Sequence, residues 1–174
     1  MKKLLAFLFL VTVSAIAQNK GPKDVFDTAR YGTVEEIKAL AAKNPDTINK
    51  VNAMGFTPLI LACYRGNLTV AEYLTKNVNN INYSSSSGTA LAAVAVKGNI
   101  KLAEALLKKK ADPNIADAAG MTPLLYAIQF KNKELIELLL RYKADKTQKD
   151  KQGKAPFEYA VDTRNQEIIN LFKN

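Results

Sequence analysis

Acid–base chemistry in this chain would have to come from carboxylates, because its 174 residues include no histidine. That excludes a Ser-His-Asp triad, a Cys-His pair and the common histidine zinc sites. Cys63 is the single cysteine, so neither an intramolecular disulfide nor a multi-thiolate metal site can form. It lies in the apolar helical stretch 59–63, where a small buried side chain is the ordinary outcome. No Gly-rich phosphate loop of the P-loop or dinucleotide type is present. What remains is a row of acids, Glu72, Glu104 and Glu137, at equivalent places along the chain. Each has a cation four residues on (Lys76, Lys108 and Arg141), a spacing that stabilises an exposed helix by about 0.2–0.5 kcal/mol. The row reads as helix surface. No enzymatic activity, cofactor or metal is expected.

The elements that carry these residues repeat. Residues 25–32, 55–67, 87–99, 120–132 and 153–165 align, and the equivalent positions Gly32, Gly66, Gly98, Lys131 and Arg164 are 34, 32, 33 and 33 residues apart. Each unit reads as two short helices and an extended finger. The first helix opens with Thr57-Pro58 or Thr122-Pro123, a hydroxyl cap followed by proline where no backbone donor is lost. The third unit keeps Thr89 without the proline; the fifth keeps Pro156 behind Ala155, which predicts a weaker start. Ala62, Ala95, Ala127 and Ala160 let neighbouring first helices approach. The second helix opens at Thr33, Asn67, Asn99, Asn132 and Asn165, all good N-caps. The glycine before the cap suits a left-handed turn, and Lys131 and Arg164 in its place cost about 1 kcal/mol each. Apolar residues at helical spacing follow, as in Leu102, Ala103, Leu106 and Leu135, Ile136, Leu139.

With residues 55–59 (Gly-Phe-Thr-Pro-Leu), 120–124 (Gly-Met-Thr-Pro-Leu), 111–114 (Ala-Asp-Pro-Asn) and the helix 134–140, the chain resembles the ankyrin repeat over residues 22–174. The resemblance implies an all-α repeat solenoid of about five helix pairs with hairpin fingers, and protein binding as its work. The histidine that the family usually carries after Thr-Pro-Leu is replaced by Ile60, Ala92, Leu125 and Glu158. The glycine that often precedes Ala-Asp is Lys110 and Lys143. The expected units are residues 24–51, 52–83, 84–116, 117–149 and 150–174, with polar ends that cap the array.

In this family partners meet the fingers and the exposed ends of the first helices. Carried over by position, the expected protein-binding surface is Arg30, Tyr31, Met54, Phe56, Tyr64, Arg65, Lys97, Met121, Gln129 and Phe130. Aromatic residues, Met and Arg are what interface cores enrich. The competing account packs Phe56 and Phe130 sideways onto the next finger. A second surface is basic: Lys143, Lys146, Lys149, Lys151 and Lys154 cluster near the last finger. Such a run is usually a solvated face, and its functional alternative is an anionic lipid or polysaccharide. Nucleic acid is disfavoured for want of a recognition motif.

Lys2 and Lys3 precede an apolar run over residues 4–16 that ends in small residues, the pattern of a secretory signal peptide cut before Gln18. The run is short of the roughly 20 residues a bilayer span needs, so no transmembrane anchor is expected. Residues 18–23 read as a linker. Cleavage lowers the net charge from +9 to +7 (9 − 2). The expectation is a monomeric protein exported to a bacterial envelope, periplasmic or secreted. The sequons at Asn67 and Asn82 read there as accidental. Exported proteins of this type resemble some that accompany haem catalases, which would make the chain an accessory of an oxidative-stress enzyme; the missing histidine argues against direct haem ligation.

Overall fold

The computed structural model describes residues 24–173, and the segments read as signal peptide and linker lie outside them. Helix pairs follow one another along the chain: α1 (Val25–Tyr31) with α2 (Val34–Lys43), α3 (Pro58–Arg65) with α4 (Leu68–Asn77), and α5 (Ala90–Lys97) with α6 (Ile100–Lys108). Then come α7 (Pro123–Gln129) with α8 (Lys133–Arg141), and α9 (Pro156–Asp162) with α10 (Gln166–Asn170). A short 3-10 turn, Pro45–Asn49, follows α2. The first helices stack in one row, α1 on α3 on α5 on α7 on α9, and α2, α4, α6 and α8 stack in a second. This is an all-α repeat solenoid.

The rows form because each helix has one apolar face. Leu135, Ile136, Leu138 and Leu139 of α8 are buried while Lys133, Glu134 and Glu137 face solvent. Burying one such Leu or Ile stabilises by about 1.5–3 kcal/mol. Ala62, Ala95, Ala127 and Ala160 are wholly buried between first helices, where a longer side chain would hold the row apart. Thr57, Thr89 and Thr122 cap the backbone N–H of Ile60, Ala92 and Leu125. Ala155 has no side-chain oxygen to offer as a cap, and the Glu158 carboxylate takes its N–H at 2.6 Å.

Polar side chains fasten one unit to the next. Asn67 was expected to cap α4; its amide reaches back and donates to Ala29 O and Gly32 O. Asn49, Asn82 and Asn114 accept the backbone N–H of Asn79, Asp112 and Asp145, each at 2.8 Å. Asn82 and Asn114 also donate to Lys110 O and Lys143 O. These amides join units 1 to 4. Lys110, Lys131, Lys143 and Arg164 hold left-handed backbone, with φ of 65, 54, 64 and 55°, where glycine would be free of strain. Gly32 is extended at φ −90°; there the lack of a side chain matters for space, since a Cβ would lie 2.5 Å from the Glu36 carboxylate.

The fingers are tight turns closed by an Asx residue rather than strands. Asn52, Asp117 and Asp150 each accept two backbone N–H groups of their own finger. Unit 3 closes one residue sooner, between Ser85 and Gly88. Ala118 N–H donates to Ser86 O and Lys151 N–H to Ala119 O, both at 3.0 Å, so fingers 3, 4 and 5 are joined through their backbones.

Candidate functional site

The first helices end at Arg30-Tyr31, Tyr64-Arg65, Val96-Lys97, Gln129-Phe130 and Asp162-Thr163, and of these Tyr31, Tyr64, Arg65, Lys97, Gln129, Phe130 and Asp162 are exposed while Thr163 is buried. Between the second and third of these ends lies a groove of 360 Å³. Met54 and Phe56 of finger 2 and Ser87 of finger 3 form one side; Ile60, Leu61 and Tyr64 of α3, with Ala93 and Val96 of α5, form the other; Arg30, Arg65 and Tyr126 complete it. Tyr31, Met54, Tyr64 and Phe130 are 62, 63, 50 and 53% exposed. For side chains of this size, half in water is a standing cost.

The charges at the mouth are arranged over rings. The Arg65 guanidinium lies 5.4 Å from the centroid of Tyr31, and Lys97 Nζ lies 4.7 Å from that of Tyr64. Each contact contributes about 0.5–1 kcal/mol at an exposed position and holds the cation in place. Arg30 pairs with Asp27 at 3.0 Å. Among the described residues, neither Arg65 nor Lys97 has a carboxylate within ion-pair distance. Asp117 is engaged by the Tyr126 hydroxyl at 2.6 Å.

The structure brings Arg30, Met54, Phe56, Tyr64 and Arg65 together at the groove, with Tyr31 and Lys97 on its rim. Phe56 is half-buried and packs against the core. Gln129 and Phe130 are exposed but stand outside the groove. Met121 is a correction: it is only 9% exposed, with its sulfur turned in to lie 3.4 Å from the Tyr159 hydroxyl oxygen. Tyr126 and Ala93 line the groove although sequence reasoning gave them no role. A signal was present, since Leu61, Ala93, Tyr126 and Tyr159 occupy one repeat position and differ sharply in size.

The basic edge is thinner than its sequence. Lys143, Lys149 and Lys151 are exposed. Lys146 Nζ donates to Leu171 O at 3.0 Å, and Lys154 pairs with Asp162 while lying 4.3 Å over the Tyr159 ring. Two cations of the five are thus committed inside the chain. The acid row also differs from expectation. Glu104 pairs with Lys108 at 2.9 Å, but Glu137 faces Lys133 at 3.9 Å rather than Arg141, and Glu72 and Lys76 make no ion pair among the described residues. Lys133 is drawn instead to Glu167 of unit 5 at 2.7 Å. Burial pushes the Cys63 thiol well up, which leaves it protonated and unreactive.

A family model described as ankyrin repeats (3 copies) matches residues 25–117 and 90–174. Ankyrin repeat and SAM domain-containing protein 6 of Rattus norvegicus is 30% identical over 107 residues, covering 60% of this chain and 12% of that protein. Protein fem-1 homolog A-like of Mus musculus is 34% identical over 89 residues, covering 51% of this chain and 14% of its own length. Ankyrin repeat, SAM and basic leucine zipper domain-containing protein 1 of Echinops telfairi is 28% identical over 124 residues, 68% of this chain and 25% of that one. The chain therefore spans a quarter or less of these relatives. Ankyrin repeats generally mediate protein–protein interaction. With the matched residues running through all five helix pairs, the chain belongs to the ankyrin-repeat family.

Proposed function

We propose that the chain is a non-enzymatic binding module, exported to a bacterial envelope, that holds another protein against its fingers and first-helix ends. The observation that carries this reading is the grouping of Tyr31, Met54 and Tyr64, each at least half exposed, around a groove already edged by cations. Aromatic and Arg side chains next to a concave apolar surface are the usual anchors of an interface. Binding rather than catalysis is supported by the lack of histidine and by the structural employment of Asp117 and Asp150, whose oxygens close fingers. Export is supported by Lys2, Lys3 and the apolar run that follows them.

Affinity capture from envelope extract tests the proposal. The wild-type chain should retain a specific protein, and Tyr64→Ala with Met54→Ala should release it while the thermal midpoint stays put. Equal capture by wild type and double variant would sink the groove as the binding surface. Mass measurement of the secreted chain tests export separately: a first residue other than Gln18 is evidence against the assigned cleavage.

A further inference from the structure

The groove beside Tyr64 is a local departure from the repeat. In units 4 and 5, Tyr126 and Tyr159 close over their own fingers, each hydroxyl 2.6 Å from the finger aspartate. Unit 3 has Ala93 at that position, and its finger is a residue shorter. The shorter turn brings Ser85 N–H onto Gly88 O at 3.1 Å, whereas its counterparts Ala118 and Lys151 donate to the preceding finger. Met54 O, the acceptor this register assigns to Ser85, receives no backbone N–H among the described residues. A missing ring and a missing backbone bond thus open one space of 360 Å³, within the roughly 300–1,000 Å³ of pockets that enclose a bound group. Its charge is one-sided. Among the described residues Arg65 and Lys97 have no acid partner, while Asp27 and Asp117 are taken by Arg30 and Tyr126.

We infer that this groove takes a peptide segment of the partner in which a bulky apolar side chain stands close to Asp or Glu. The apolar side chain fills the volume that Ala93 leaves, and the carboxylate meets Arg65 and Lys97. The inference rests on the groove reading above and adds the chemistry of the occupant. An apolar anchor alone would leave the two cations without a counter-charge; a basic segment would be repelled by them.

The test is selection from a random dodecapeptide display library on the immobilised full chain, followed by affinities of the enriched peptides as synthetic probes. Enriched peptides should pair a large apolar residue with an acid. Arg65→Glu and Ala93→Tyr should each weaken them by about tenfold or more, and Lys101→Glu on the outer face of α6 should leave them unchanged. Should Ala93→Tyr fail to fold by circular dichroism, Val96→Phe narrows the same groove from a half-buried position. Enriched peptides that lack acids but are still weakened by filling the groove overturn the acidic chemistry and leave the groove as a binding surface. Peptides indifferent to filling count against both readings. No enrichment overturns the inference.

Discussion

Tyr159 shows how much one hydroxyl does here. Burial first, and then its hydrogen bond to Asp150, push its pKa up from 10.0 to about 12. The folded chain holds that proton more tightly than the unfolded chain does. The resulting stabilisation is complete below pH 10.0 and is lost as pH rises through about 12. The same bond holds the Asp150 carboxyl below its ordinary range, so that contribution is present above the ordinary carboxylate pKa and fades as acid protonates it. Tyr159→Phe should therefore lower the thermal midpoint at neutral pH and flatten its decline between pH 10.0 and about 12. Identical midpoint-versus-pH curves for the two proteins would refute this. The sequence names Tyr159 and Asp150 but not their meeting: they stand nine positions apart, across finger and helix, and the turn at Gly153 brings them together.

The helices and their ends were the part most open to sequence reading. The hydroxyl caps and prolines of α3 and α7 stand where a local rule puts them, because their partners lie within three residues. Asn67 escaped that rule because its partners lie 35 and 38 residues away, and a cap motif carries no information about a neighbouring unit. The alignment of Lys131 and Arg164 with glycines did predict a left-handed backbone, and both adopt it. Lys131→Gly and Arg164→Gly should each relieve that strain and raise stability by about 0.5–1 kcal/mol, less the added freedom of the unfolded chain. Urea unfolding measures it; a fall in midpoint for either variant would show that the lysine or arginine makes a contact worth more than the strain. Gly32 marks the limit of the alignment: its backbone is extended, and what it supplies is room for the Glu36 carboxylate.

At the scale of the whole molecule, the stack is only as close as its alanines allow. Ala127 is fully buried between α5, α7 and α9, so Ala127→Leu should overpack the row and cost about 1–3 kcal/mol. Each unit leans on its neighbours alone, so the damage should also loosen the coupling along the stack and broaden the unfolding transition. Circular dichroism in urea reads both, and a transition as sharp as wild type would argue that the row can expand without losing its coupling. Five units in register were legible from spacing. The groove was not, although the 32-residue interval between Gly66 and Gly98 records the shortened unit. An interval says that a residue is missing; where Ser85 then sends its N–H is decided by the folded finger. That choice has a mechanical side. Between units 2 and 3 the stack is tied through Asn82, just before the finger turn, while no backbone hydrogen bond joins the two finger turns among the described residues. A leaf fixed along one edge flexes about that edge. Under tension or against a bulky guest, the curvature of the solenoid should yield here first, with a change in end-to-end length set by one hinge rather than spread over four.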